Sequence, residues 1–159
     1  IQSDLPSSDI LSNVIEDSVN PIKKNINSRQ GYGLNGPERK AVEMRAMEVT
    51  REYLSQRGYT LEDCSSNKPY DYLARREKEI KVEVKGTTSS YVDSIMMTSN
   101  EVDLHSRECG TTALSIVSDI NFVERGENPI CEGGVIEYFY PWDINDWSLE
   151  PKAYLVRKK

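Results

Sequence analysis

Two short runs with alternating apolar and polar side chains, joined by a charged turn, constrain the fold of this chain more than any other feature. They span residues 69–75 and 80–86. Because successive strand residues point to opposite faces of a sheet, the alternation predicts an antiparallel hairpin that pairs 75 with 79, 73 with 81 and 71 with 83. One face of this hairpin is apolar and is predicted to join the core: Tyr70, Tyr72, Ala74, Ile80, Val82 and Val84.

The opposite face of the hairpin is polar and places Asp71 across from Glu83, with Cβ atoms roughly 5 Å apart. Like charges at such a position repel, and a divalent cation between them removes the repulsion. The two carboxylates and the Val84 carbonyl form an oxygen ligand set that suits Mg²⁺ or Mn²⁺. Lys85 lies one pleat further on the same face and is placed to hold an attacking water and offset developing charge. The alternative interpretation is a surface hairpin whose Glu83 and Lys85 are merely solvated.

The remaining patterns predict an α/β chain with the order αβββαβ and a β-rich C-terminal extension. Before the hairpin they indicate a helix over 37–57, with Val42, Ala46, Val49 and Tyr53 as its buried stripe, and a strand over 59–64. After the hairpin they indicate a short strand over 94–98, a second helix over 99–109 and a strand over 113–123. Two further strand candidates, 135–140 and 153–157, flank an aromatic turn over 142–147.

The chain divides near residue 36. Residues 1–36 are rich in Ser, Asn, Asp and Gly, which predicts a linker or docking arm. Residues 37–159 form the predicted folded domain. The first residue is not Met, and we expect a processed chain or a fragment of something longer. The three cysteines are an odd number without a CxxC pair, so we expect reduced thiols and an intracellular location, cytoplasmic if bacterial.

Charge and hydropathy limit the partners. No apolar run approaches the roughly 18 residues of a membrane-spanning helix, so we expect no membrane partner. A net charge of -6 argues against nucleic acid, since phosphate binding needs a positive surface. The bases of residues 37–87 nearly balance the acids there, however, and could line a local groove. The single histidine, His105, is predicted to be a solvated or capping residue.

The order helix, strand, Asp strand, Glu-x-Lys strand, helix, strand resembles the PD-(D/E)XK nuclease superfamily. The segments "RKAVEMRAM", "YLSQRGYTLEDCS", "PYDYLARR", "KVEVKGT" and "MMTSNEV", within about residues 38–120, are similar to the domain at the C-terminus of the plant NO VEIN protein, also found in bacterial restriction and helicase-linked proteins. The resemblance implies a restriction-endonuclease-like mixed sheet flanked by helices. It also implies Mg²⁺- or Mn²⁺-dependent cleavage of DNA.

The resemblance assigns the superfamily's metal-binding aspartate to Asp71, and its acid and lysine to Glu83 and Lys85. One tyrosine separates the motif's proline from Asp71, where the superfamily name reads Pro-Asp. Many resolvase-like members add a glutamate from the first helix, and Glu43 holds that place. The alternative for Glu43 is an ion pair with Arg39 or Arg45 on the helix surface.

Candidate DNA contacts near this site are mostly basic: Arg39, Lys40, Arg75, Arg76, Lys78, Lys81 and Thr98. Thr98, followed by Glu101, also fits the N-cap of the second helix, and both the capping and the cleft interpretations stand. Trp142, Trp147 and the tyrosines near them fit either core packing or stacking on unpaired bases.

The sequence therefore predicts a Mg²⁺-dependent endonuclease domain of a restriction or DNA-processing protein. The alternative from another class is a catalytically inert module with the nuclease fold, used for DNA binding or assembly within a larger parent protein or a homodimer. An RNA or nucleotide substrate is a third interpretation.

Overall fold

The computed structural model describes residues 34–152 and 156–158. These residues form two α-helices, five strands and one 3₁₀ helix. In chain order they are α1 (Gly36–Ser55), β1 (Thr60–Asp63), β2 (Tyr72–Arg75), β3 (Glu79–Gly86), α2 (Ser99–Arg107), β4 (Thr112–Glu124), β5 (Ile130–Trp142) and the 3₁₀ helix Ile144–Asp146. The predicted α/β class and the αβββαβ order are confirmed.

All five strands belong to one mixed sheet, whose strand order β1-β2-β3-β4-β5 follows the chain. Three neighbouring pairs are antiparallel, and only β3 and β4 are parallel. A parallel pair needs a long connection that returns the chain to the same end of the sheet, and residues 87–111, which contain α2, provide it. The predicted hairpin register is confirmed at the pairs Arg75↔Glu79 and Leu73↔Lys81, but the ladder ends at Tyr72↔Val82, so the predicted pairing of 71 with 83 is not formed.

The sheet carries a hydrophobic core on each face. On one face, α1 packs Val42, Ala46 and Leu54 against the even-numbered side chains of β2 and β3. On the other face, Leu114 and Ile116 pack with Trp142, Ile144 and the partly buried Val102 of α2. Because side chains alternate along a strand, the odd-numbered residues of β3 lie on the face that α2 covers. Only side chains on the same face of the sheet can meet in one site, so the odd-numbered residues of β3 are the ones that can meet residues of α2.

Residues 34–36 are the first residues that the structure describes. Leu34 packs against the first core, and Asn35 caps α1 by a reciprocal pair of hydrogen bonds with Glu38. This capping box satisfies donors that the first helical turn would otherwise leave without partners. The predicted arm otherwise lies outside the described residues, as do residues 153–155 of the last predicted strand.

Gly86 marks the closest approach of α1 to the sheet. A Cβ built on this residue would lie 2.7 Å from the Ala46 Cβ and 3.1 Å from the Val42 carbonyl oxygen. The glycine therefore permits close contact between the helix and the strand.

The strand predicted over 94–98 is wrong. Thr98 is the N-cap of α2, and residues 91–97 have no regular structure. Ile95 and Met97 of this segment, and Val92 just before it, pack against the second core without a neighbouring strand. Both sides of β3 are already paired, by β2 and β4, so the segment finds no sheet edge there.

Candidate functional site

Asp71 lies just before β2, on the side of β3 where the β2 ladder has ended. Its backbone N–H donates to the Val82 carbonyl (3.0 Å), and its Oδ2 accepts a hydrogen bond from the Val84 N–H (2.7 Å). The carboxylate thus takes the place of a backbone acceptor in the ladder. The Val84 carbonyl points to the same side as its N–H, past the end of β2, because both groups of a strand residue share one side.

Glu83 and Lys85 project from β3 on the face that α2 covers. The Glu83 side chain is almost fully buried, and its Oε1 lies 2.6 Å from the Lys85 ammonium nitrogen. The same Nζ lies 2.9 Å from Oε2 of Glu101. The structure therefore brings together the three residues that the motif predicts and adds a third acid from α2.

Glu101 connects the lysine to the start of α2. Its Oε2 accepts a hydrogen bond from the Thr98 N–H at 3.0 Å, and its own N–H donates to Thr98 Oγ1 at 3.4 Å. The capping interpretation of Thr98 is thus confirmed. The same Glu101 carboxylate also reaches Lys85, so the cap and the lysine contact share one side chain.

The cluster holds more negative than positive charge, with three carboxylates around one ammonium. Burial raises the pKa of Asp71 to about 8, and the charge of Glu83 adds to this shift. Burial also raises the pKa of Glu83 to about 7, against the opposing effect of Lys85. Burial alone would lower the pKa of Lys85, but Glu83 and Glu101 outweigh it and raise that pKa. Additional positive charge beside Asp71 and Glu83 would therefore stabilise their ionised forms.

His105 is fully buried between α2 and the sheet, so the prediction of a solvated or capping residue is wrong. Its Nδ1 lies 2.8 Å from Thr112 Oγ1, and its Nε2 lies 3.9 Å from Glu83 Oε2. Its ring packs edge-on against Trp142, and burial lowers its pKa to about 4. The sequence feature that could have indicated this position for His105 is its spacing from Glu101, because residues four apart lie on one helix face.

The donor set fits a hard divalent cation. Asp71, Glu83 and the Val84 carbonyl offer oxygen atoms of the kind that such a cation prefers, and burial raises the pKa values of both acids despite the nearby Lys85. Among residues 34–152 and 156–158, no group of three His, Cys, Asp or Glu side chains is arranged to hold a metal ion.

Glu43 is not brought to this cluster. It lies on α1, on the opposite side of the sheet, and its Oε1 accepts a hydrogen bond from Lys40 Nζ at 3.0 Å on the exposed helix surface. The ion-pair interpretation of Glu43 therefore describes the structure, with Lys40 in place of Arg39 or Arg45.

The side chains of five of the six predicted basic DNA contacts have partners within the domain. Lys81 pairs with Glu108 at 2.6 Å, and Arg75 pairs with both Glu62 and Glu79. Three further bases also have contacts: Arg39 with the Leu34 carbonyl, Lys40 with Glu43, and Arg76 with Glu77 and the Arg57 carbonyl. Internal pairing reduces the positive charge that these groups offer to phosphate.

The aromatic residues near the C-terminus pack mostly against one another. The rings of Phe139 and Trp142 each meet Trp147 edge-on, with centroids 5.5 and 6.0 Å apart. Trp142 is buried in the second core, whereas Tyr140 is exposed. Core packing thus accounts for the two tryptophans.

The fold and the site define a mixed α/β domain with a buried acid–lysine cluster beside its central strand. The family model described as "Protein NO VEIN, C-terminal" matches residues 42–126, more than half of the chain, and the chain belongs to this family. The match runs from α1 past the end of β4 and includes every residue of the cluster. The family's description indicates a domain of a larger protein. Comparisons with curated proteins and with solved structures gave no match.

Within the described residues, neither helix is long and apolar enough to cross a bilayer.

Proposed function

We propose that this domain hydrolyses phosphodiester bonds in DNA with the help of Mg²⁺ or Mn²⁺, as a PD-(D/E)XK nuclease. One observation carries the proposal. Asp71, Glu83 and Lys85 meet on one face of the sheet where β2 ends, and both acids have raised pKa values. Two buried acids that repel each other are costly to a fold unless a cation offsets them.

Each residue of the cluster has a role in this proposal. Asp71, Glu83 and the Val84 carbonyl would hold the cation, which when bound would supply a Lewis acid for the scissile phosphate and for the charge on the leaving 3′-oxygen. An ammonium group has three donors. Two of those on Lys85 face Glu83 and Glu101, and in this proposal the third would hold the attacking water. Glu101 orients Lys85 from the start of α2.

A specific observation favours a second candidate, an inert module with the same fold. The Lys85 ammonium is held by two carboxylates, and most of the candidate DNA contacts pair with acids. Such a module would serve DNA binding or assembly, within a larger protein or as a homodimer. It would not need a divalent cation.

Cleavage assays separate the two candidates. We expect the domain to cut supercoiled plasmid or DNA oligonucleotides with Mg²⁺ or Mn²⁺ and to stop cutting in EDTA. An RNA oligonucleotide of the same sequence tests the choice of nucleic acid. Lys85→Ala is expected to abolish cleavage with an unchanged circular dichroism spectrum.

The matched control is Lys152→Ala, which removes an exposed lysine paired with Glu150. It is expected to cut like the wild type. A folded Lys85→Ala protein that cuts at the wild-type rate would contradict the catalytic role. A wild type that neither cuts DNA nor binds Mn²⁺ would favour the inert module.

A further inference from the structure

One ring nitrogen of His105 has no hydrogen-bond partner, although the residue is completely buried. This nitrogen, Nε2, faces Oε2 of Glu83 at 3.9 Å, while Nδ1 contacts Thr112 Oγ1 at 2.8 Å. Buried polar atoms in native proteins are nearly always paired, so an unpaired nitrogen aimed at a carboxylate requires an explanation. The contact lies beside the residue that the proposed function uses as a ligand.

The position of the ring proton follows from what each nitrogen faces. A neutral imidazole carries one N–H, on either Nδ1 or Nε2. If Nδ1 carried it, a lone pair on Nε2 would face the Glu83 carboxylate, which is repulsive. If the Thr112 hydroxyl donates to Nδ1, then Nε2 carries the proton and directs it at Glu83, which is attractive. The surroundings therefore favour the Nε2–H form.

We propose that His105 is a positioning residue for Glu83, and that Thr112 keeps its ring in the Nε2–H form. The Nε2–H faces Oε2 of Glu83 across 3.9 Å and attracts its charge without a direct hydrogen bond, while Lys85 contacts Oε1 on the other side at 2.6 Å. This inference rests on the proposed function, in which Glu83 is a metal ligand. Groups that orient ligands in this way typically contribute about 10–100-fold to metal affinity or activity.

The helix that carries His105 gives the inference a second support. Glu101 and His105 are four residues apart on α2 and so lie on the same helix face. Glu101 contacts Lys85 and His105 faces Glu83, so a single helix lies against both functional side chains of β3. Packing of His105 against Trp142 fixes the ring in the second core.

The first test measures the ring proton in the protein without metal. Proton–nitrogen NMR of labelled imidazole is expected to show the Nε2–H form in the wild type. Thr112→Val removes the hydroxyl at nearly constant volume and is expected to mix the two forms, whereas Thr112→Ser keeps the hydroxyl and the Nε2–H form. An Nδ1–H ring in the wild type would overturn the inference, whatever the domain does to DNA.

The second test measures Mn²⁺ affinity from the rise in melting temperature with Mn²⁺ concentration. His105→Phe keeps an aromatic ring against Trp142 but removes the donor, and we expect a loss of affinity of about 10–100-fold. His105→Gln places an amide donor near the position of Nε2 and is expected to recover part of that loss. If His105→Phe does not fold, Thr112→Val and Thr112→Ser serve as the milder pair.

The outcomes separate this inference from the proposed function. A wild type that shows no Mn²⁺ binding contradicts the proposed function, and the NMR result still decides whether His105 holds Glu83. A wild type that binds Mn²⁺, with equal binding by folded His105→Phe, contradicts only the role of His105.

Discussion

Asp71 and Glu83 reduce the stability of the metal-free domain at neutral pH. The pKa of each acid is raised above its ordinary value, which means that the folded protein resists the ionisation of both groups. The hydrogen bond from the Val84 N–H partly offsets this cost for Asp71. In the proposed function, the same repulsion would be relieved by a bound cation.

Replacing Asp71 by asparagine should therefore stabilise the metal-free protein. The amide oxygen of Asn can still accept the Val84 hydrogen bond, while the charge that repels Glu83 is gone. We expect a melting temperature a few degrees higher in EDTA, since 1 kcal/mol corresponds to about 2–8 °C in domains of this size range. The stabilisation by Mn²⁺ should disappear.

Asp103→Asn, on the exposed surface of α2, is the matched control and should keep the wild-type response. Equal melting shifts with Mn²⁺ in Asp71→Asn and in the wild type would show that the metal binds elsewhere or does not bind.

The stability of the metal-free protein should also fall as the pH rises. An acid whose pKa is raised on folding binds more protons in the folded state, so stability is lost as pH increases through the folded pKa, about 7 for Glu83 and about 8 for Asp71. The slope approaches about 1.4 kcal/mol per pH unit for each proton released. His105 acts in the opposite direction between about pH 4 and 6.5, because burial lowers its pKa.

The window from about pH 6.5 to 8.5 isolates the two acids. Urea unfolding in EDTA across this window is the measurement, and Asp71→Asn should flatten the curve. A wild-type free energy of unfolding that rises with pH there would contradict the assignment.

Prediction of individual residues from the sequence succeeded where the alternation of side chains along a strand decides which face of the sheet a residue occupies. The shared face of Glu83 and Lys85 follows from a period of two, whereas Asp71 lies just beyond the hairpin ladder and is held by the hydrogen bond from the Val84 N–H. Glu43, Glu101 and His105 depend instead on which side of the sheet each helix covers, and a single helical pattern does not contain that information. Their placement comes from tertiary packing.

At the level of elements, the contact of α1 with β3 depends on the missing side chain of Gly86. Adding a methyl group would push against the Ala46 Cβ and the Val42 carbonyl, which belong to the helix itself. We expect Gly86→Ala to destabilise the domain by about 1–3 kcal/mol, the usual cost of overpacking. Chemical denaturation measures this difference.

Gly36→Ala is the control, since a Cβ at this first residue of α1 meets nothing within 4 Å. Its stability should match the wild type or exceed it slightly. Equal stability of the two alanine variants would show that α1 can move away from β3 at little cost.

The elements also differ in how well the sequence predicts them. The bounds of α1 and β3 were close to the prediction because Pro37 and Gly86 punctuate them. β5 is longer than the predicted 135–140, at Ile130–Trp142, because pairing along β4 extends it through Gly133 and Gly134. Local sequence patterns predict the end of a strand at such glycines, whereas hydrogen bonding to a long neighbouring strand continues the strand past them.

For the whole molecule, the net charge of -6 limits binding to DNA. Six bases are candidate contacts: Arg39, Lys40, Arg75, Arg76, Lys78 and Lys81. If half of them touch phosphate, the logarithm of affinity should fall with that of salt at a slope of roughly -3. We expect weak binding, because acids such as Glu108 and Glu62 compete with phosphate for these groups.

Fluorescence anisotropy with a labelled oligonucleotide at several salt concentrations measures this slope. Lys81→Gln should reduce its magnitude by about 1, while Lys152→Gln should leave it unchanged. Tight binding that does not respond to salt would contradict this electrostatic account.

The strand order of the sheet has a consequence for how the domain folds. Neighbouring strands are also neighbours in the chain, so most pairings close short loops. The parallel pair of β3 and β4 is different, because the chain must first traverse residues 87–111, and loop-closure entropy opposes contacts between distant residues. Glu83 and Lys85 lie before this connection, Glu101 and His105 within it, and Thr112 directly after it. The acid–lysine cluster therefore assembles only when the slowest loop closes, and an incompletely folded chain carries no completed site.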